Sequence, residues 1–342
     1  MEEKRNNIID IAKGIGIICV ILGHLGVYGI VKVVYTFHMP LFFYISGFLL
    51  NQKTNFYAYV KNKFLSLMKP YATASILIVI FSMIMAFSHG ADYFQAGFAK
   101  LITALYGGGY NQKIPFKASS VGAIWFLWAL FWSSITLKYL SEKKQTLRIC
   151  TVIILFLFAT ISKDFIWLPF CIQSGFFGLL FMYFGFLYKD IHRSIFPHIS
   201  QECKMVIMLI LSLCWVWCII NFKDVALYRA NVYHGIIDIV GSIGGCLCVF
   251  ILSGYISHYT KVLAQILSWL GVYSVLILIF DILGCFYINW HSLLTFFNTL
   301  IPIGKGFYAY LVFRIIGKFF FCFGLAYLVT RSAFLKSLFG IR

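Results

Sequence analysis

Lys13 and His24 stand eleven positions apart in one apolar stretch, IIDIAKGIGIICVILGHLGVYGIV, residues 8–31. Eleven residues are close to three helical turns, so both side chains project from nearly the same face, about 16 Å apart along the axis. Asp10 lies one turn before Lys13 on a neighbouring part of that face. A neutral histidine suits a general base near physiological pH, and a lysine offers a positive charge to an anion. Each ionisable group inside a bilayer costs on the order of a few kcal/mol, so three in one apolar helix mark a candidate site. A plainer reading stays open: an Asp10–Lys13 pair at the membrane interface and a histidine used in helix packing.

The elements that must position these groups lie in lipid. The chain is 61% hydrophobic and 11% charged, with a mean hydropathy of +0.90. Soluble domains run near one quarter charged, so that class is excluded. Within a bilayer only helices or closed barrels satisfy the backbone. The apolar runs here last 16 to 26 residues without strict alternation, which predicts helices. Ten spans are expected, at about 8–30, 35–50, 70–88, 121–138, 149–162, 168–188, 205–221, 232–256, 262–284 and 308–330. The second is short and Pro40 breaks its start, which predicts an angled or partly unwound piece. Segments 93–106 and 291–303 are too short and mixed to span, and read as interfacial or re-entrant. Met1–Asn7 is short and polar, and no cleavable signal peptide is expected, so the first span stays in place. No repeat or linker divides the chain. The expectation is a single all-α, polytopic membrane domain over residues 1–342.

A net charge of +17 invites a nucleic-acid reading, but membrane topology explains it better. With the N-terminus in the cytoplasm, 17 lysines and arginines fall on that side and 8 on the other, while Lys13, Arg314 and Lys318 lie within spans. By the positive-inside rule this predicts both termini cytoplasmic and a multi-pass protein of the cell (cytoplasmic) membrane. The partner so implied is the lipid bilayer, with no nucleic acid. Lys53 to Lys69 then forms a basic cytoplasmic loop that could hold a phosphorylated metabolite or meet anionic lipid. Most of the ten cysteines lie inside spans. Neither Cys214 with Cys218 nor Cys246 with Cys248 has histidine or carboxylate neighbours at zinc-site spacing, so packing cysteines and no metal are expected.

After the first span comes VVYTFHMPLFFYISGFLL, residues 33–50. KGIGIICVILGH followed by FHMPLFFYISGFL strongly resembles membrane acyltransferase family 3, especially its fucose 4-O-acetylase-like branch. The basic KNKFLSLMKPY of residues 61–71, AIWFLWALF of 123–131, FFGLLFMYFGFLYKD of 176–190 and LSWLGVYSVLILIFD of 267–281 are similar to later parts of that family. The resemblance covers residues 5 to 330, with its specific content in the first 71. Two departures stand out. Lys63 is followed at a three-residue spacing by Ser66, where members often carry a second arginine, and Asp281 stands where a late histidine is usual.

The resemblance implies an O-acyltransferase that moves an acyl group, acetyl above all, from cytoplasmic acyl-CoA to a hydroxyl of an extracytoplasmic or lipid-linked sugar. Acetyl-CoA or another acyl-CoA is then the donor, and a glycan or glycolipid the acceptor. Separate envelope-biosynthesis proteins are conceivable partners. Its phosphates would sit near Lys13 and the Lys61, Lys63 and Lys69 side chains, with the thioester reaching His24. Direct transfer is expected, with His24 as the base, and Ser46 in the SGF turn offers a covalent alternative against a packing role. His38 faces the same half of the membrane as His24 and could orient it, bind the acceptor, or snorkel to water. Asp238 and Asp281 could fix the His24 tautomer, or pair with Arg314 and Lys318; Arg314 could also steady an oxyanion.

Trp125, Trp128 and Trp132 share one helical stripe that could stack on sugar or simply pack. Two rival classes remain: an exporter or permease of the same membrane fold, and an anchor without chemistry. Transporters often carry internal repeats and paired broken helices, and neither is visible in the sequence.

Overall fold

The computed structural model describes residues 7–111, 119–195, 198–223, 225–300 and 306–341. Among the charges sorted above, Lys4, Arg5, Lys113, Lys117, Lys305 and Arg342 lie outside these residues. The described chain is helical, with no strand among its residues beyond one isolated bridge between Ala226 and Asn231. In order the helices are α1 (Asn7–Gly23), α2 (Tyr28–Val34), α3 (His38–Phe48), α4 (Phe56–Ser88), α5 (Tyr93–Tyr106), α6 (Trp125–Ser141), α7 (Gln145–Ser162), α8 (Ile172–Ser194), α9 (Gln201–Ile220), α10 (Ile236–Tyr259), α11 (Lys261–Val272), α12 (Ser274–Tyr287), α13 (Trp290–Leu300), α14 (Gly306–Arg331) and α15 (Ala333–Leu338).

Eight helical stretches among the described residues are long and apolar enough to cross a membrane, and the bent pair α11–α12 makes nine. The protein is a polytopic all-α membrane protein. To these is added α1, whose 17 residues give it a length of about 25 Å. It packs against α3, α10, α11 and α12, and α8 forms a second hub for α3, α6 and α7.

Three boundaries differ from the sequence reading. First, α1 ends at Gly23 instead of continuing to residue 30. Gly26 takes a left-handed backbone (φ +73°) that a helix cannot continue, and α2 starts afresh at Tyr28. Second, α4 begins at Phe56 and runs through Pro70 to Ser88. Asn55 caps its start by accepting from the amides of Tyr57 (3.0 Å) and Ala58 (3.4 Å), a signal stronger than the proline as a boundary. Third, the expected span at 262–284 is broken, with α11 and α12 meeting at 72°.

Pro40 stands just after the break between α2 and α3, as the sequence reading expects. It sits in the first turn of α3, where its missing amide hydrogen is not needed. The link before it is held at Thr36, whose Oγ1 accepts from Trp215 of α9 (2.8 Å) and whose carbonyl accepts from Ser242 of α10 (2.5 Å). Helix α5 returns along α4, and the Tyr71 hydroxyl in mid-α4 donates to Ala104 near the end of α5 (2.6 Å). The short α13 lies on α14; residues 301–303 of the other expected interfacial piece lie outside the described residues.

Helix α1 is seated by close backbone contact with α11. A Cβ on Gly14 would stand 2.0 Å from the Leu267 carbonyl oxygen, and one on Gly271 only 1.8 Å from that of Asp10. Only glycine permits this crossing, which anchors the break before α12 to the middle of α1.

Candidate active site

His24 is the residue after the last turn of α1, with its amide still donating to Val20 (3.0 Å). The break at 72° aims α12 across that end, and α14 lies alongside α12. Three helices therefore converge on the imidazole. His24 Nδ1 is 2.5 Å from Asp281 Oδ2, and the other carboxylate oxygen of Asp281 is 2.8 Å from Lys318 Nζ. Asp281 and Lys318 are buried at 0% and 1% side-chain exposure, while His24 keeps 23%.

The chemistry follows from that gradient. A buried carboxylate is retained as an anion when an ammonium compensates it, which is the part of Lys318. The anion only accepts hydrogen bonds, so Nδ1 of His24 must carry the proton and donate it to Asp281. That leaves the lone pair on Nε2, on a ring that still has exposed surface. The arrangement is an imidazole oriented by a buried, charge-balanced carboxylate, a geometry that a general base could use.

Arg314, one turn before Lys318 on α14, pairs with no acid among the described residues. Its Nη1 donates to the Leu25 carbonyl (3.1 Å) and its Nη2 reaches the His24 carbonyl (3.5 Å). It thus places positive charge at the carbonyl-rich end of α1, where the helix dipole favours it. Trp290 and Tyr310 flank the guanidinium, each with its centroid 5.9 Å away. Cys285, one turn beyond Asp281 on α12, has its Sγ 3.2 Å from Lys318 Nζ. Donor atoms of His24, Asp281 and Cys285 lie within 4.8 Å of one another, a nitrogen–oxygen–sulfur set of the kind zinc takes. The Lys318 ammonium lies against both Asp281 and Cys285.

His38 occupies the first turn of α3, 6% exposed, with Nδ1 2.7 Å from the Val34 carbonyl and its ring stacked on Tyr35. It ties the end of α2 to the start of α3 and lies within electrostatic range of His24. At the other end of α1, Lys13 Nζ is 3.5 Å from Asp10 Oδ1. Lys63 of α4 comes near enough for its ammonium to feel that of Lys13. Lys61 and Lys69 are exposed on α4 and do not share this face. At about 100° per residue, Lys61 lies some 200° around the helix from Lys63, and Lys69 about 240°. Of the three lysines, Lys63 is the one on the α4 face toward Lys13.

Two expected residues fall elsewhere. Asp238 belongs to the start of α10, accepting from the amides of Tyr233 (2.9 Å) and His234 (2.7 Å) and from the His234 ring (3.0 Å). This reach-back satisfies donors ahead of a helix start and leaves the Asp238 carboxylate engaged away from Arg314 and Lys318. Ser46 is also set apart. Gly16 abuts Leu41 and Phe42, and Gly23 abuts Val34 and Tyr35, so α3 runs antiparallel to α1. Ser46 accordingly lies toward the Lys13 end, about 12 Å along α3 from His38. Trp128 and Trp132 stack on each other, and Trp128 packs on Tyr71 and Phe170, which accounts for them as helix packing.

Sequence reasoning set Lys318 aside as a generic ion-pair partner and Cys285 as a packing thiol. The signal for both was spacing: Asp281 and Cys285, like Arg314 and Lys318, stand at i, i+4 and so line one face of each helix.

A polytopic helical membrane protein with a carboxylate-oriented histidine at the junction of its first helix and a broken late one fits a membrane-embedded transferase. A profile described as an acyltransferase domain matches residues 6–331, nearly the whole chain. The chain belongs to the membrane acyltransferase family 3, and its activity class is acyl transfer. No curated protein and no solved structure matches it.

Proposed function

We propose that this protein transfers an acyl group, acetyl in the first instance, from cytoplasmic acyl-CoA to a hydroxyl of an extracytoplasmic or lipid-linked sugar of the cell envelope. The reading places the protein in the cytoplasmic membrane with its N-terminus inside. Lys13 and Lys63 then lie toward the cytoplasm and would attract the phosphates of the donor. His24 lies about 16 Å further along α1, a separation suited to an elongated thioester. At that point His24 Nε2 accepts the proton of the acceptor hydroxyl, and the oxygen attacks the acyl carbonyl carbon. The oxyanion that develops meets the positive potential of Lys318 and Arg314. Collapse expels the thiolate, which takes the proton from His24.

The observation that carries the reading is the His24–Asp281–Lys318 chain, because a packing histidine has no need of a buried charge-balanced carboxylate behind it. His38 and Asp10 act here as positioning residues, His38 at the α2–α3 joint and Asp10 on Lys13.

Acetyl-CoA turnover by purified protein in proteoliposomes tests this, with envelope glycan extracts as acceptor. Acceptor-dependent CoA release is expected from wild type. His24→Ala should lower it by on the order of 10²–10⁴, the usual contribution of a general base. Lys13→Ala should raise KM for the donor more than it lowers kcat. Equal inertness of wild type and His24→Ala toward every donor and acceptor, together with glycan movement across the bilayer by wild type, would replace the reading with an exporter.

A further inference from the structure

The acid–base route leaves one reactive group of the cluster unused. Cys285 stands one turn beyond Asp281, so α12 presents thiol and carboxylate on one face. Its Sγ is 3.2 Å from Lys318 Nζ and within 4.8 Å of both a His24 ring nitrogen and an Asp281 oxygen. Cys171, Cys218, Cys246 and Cys322 are buried, whereas Cys150, Cys203 and Cys285 are exposed, and of these three Cys285 is the one whose sulfur lies against the charged cluster. A thiolate is the nucleophile, and a neighbouring ammonium favours that form. An adjacent imidazole held by a carboxylate is the usual proton acceptor for such a thiol. Ser46, the nucleophile considered from the sequence, lies toward the Lys13 end, away from that imidazole.

We infer that Cys285 carries the acyl group as an enzyme thioester between two half-reactions. The inference rests on the acyltransferase reading above and replaces its single direct transfer by two half-reactions through Cys285. In the first half, His24 accepts the Cys285 thiol proton and the sulfur attacks the carbonyl carbon of the donor thioester. A C–S bond to Cys285 forms, the C–S bond to CoA breaks, and CoA leaves with the proton from His24. In the second half, the acceptor hydroxyl gives its proton to His24 while its oxygen attacks the Cys285 thioester. A C–O bond forms, the C–S bond to Cys285 breaks, and the departing sulfur recovers the proton from His24. No electrons are gained or lost overall. Exchanging one thioester for another conserves the driving force of the donor. It also lets a donor from one face and an acceptor from the other use the site in turn.

The test uses full-length protein in proteoliposomes given acetyl-CoA and isotopically labelled free CoA, with no acceptor. A thioester intermediate predicts label moving into acetyl-CoA, and a hydroxylamine-labile acetyl group on the peptide that contains Cys285. Cys285→Ala should lose both the exchange and acceptor-dependent turnover. Cys285→Ser, which keeps a hydroxyl of similar shape, should trap acetyl as a slowly discharged oxygen ester. Turnover with acceptor but no exchange and no acetyl on Cys285 in wild type would overturn the thioester and leave direct transfer in place. So would full turnover in Cys285→Ala. If wild type releases no CoA with any acceptor, the acyltransferase reading falls first and the thioester falls with it.

Discussion

At the scale of single residues, the site turns on how Asp281 is kept charged. Its carboxylate has no exposed surface and is held between Lys318 and His24. Removing one member of a buried ion pair is costly, because the other is left without compensation. Lys318→Met should therefore destabilise the protein by about 3–5 kcal/mol. Adding Asp281→Asn to it removes the stranded charge and should restore most of the lost stability. Turnover should not return, since an amide no longer fixes the His24 tautomer. Thermal unfolding in detergent, read beside CoA release for both single variants and the double, checks the argument. A double variant no more stable than Lys318→Met would mean that the two groups are not energetically coupled.

At the scale of helices, the decisive contact is the crossing of α1 and α11. It fixes where α11 stops and α12 starts, and hence where Asp281 meets His24. Gly271→Leu drives a side chain into the Asp10 carbonyl, whose oxygen stands 1.8 Å from the position of a Cβ. The expected result is a lower unfolding temperature and loss of turnover together, although no reacting group is touched. Gly254 of α10 is the control. No atom lies within 4 Å of its Cβ position, and its φ is not left-handed. Gly254→Ala should keep full turnover and gain up to about 1 kcal/mol from helix propensity. Equal damage from both substitutions would show that the close crossing is not what holds α12 in place.

Across the whole molecule, the segment after α14 is tied back to α4 and α12. After α14 the chain folds back as α15 against α4, where the Thr73 hydroxyl donates to the Leu338 carbonyl (2.6 Å). Phe339 is 7% exposed and packs on Phe280, the neighbour of Asp281. Truncation after Ser332 should thus lower both melting temperature and turnover, although the family match itself stops at residue 331. Unchanged kinetics in the truncated protein would relegate the segment to a surface appendage.

Much of this molecule was legible in one dimension, for reasons that differ by feature. Hydropathy over 16 to 26 residues reports burial in lipid directly, so the helical class and most spans could be read from composition and run length. Lys13 and His24 could be read because a charge within an apolar helix is conspicuous by its cost. Helix ends were harder. Gly26 stops α1, Asn55 starts α4 and Pro70 interrupts nothing, because local caps outweigh a proline whose place in the fold is unknown. The partners of His24 were beyond sequence reach. Asp281 and Asp238 are both acids near the membrane-buried bases in chain order, and only packing shows that one backs an imidazole and the other caps α10. The residues of the charged cluster are up to 294 positions apart along the chain. Residue chemistry and period therefore determined what kind of protein this is and which helix begins the site. The tertiary structure alone decided which carboxylate, ammonium and thiol complete it, because those contacts depend on a 72° break and a glycine crossing that no local pattern encodes.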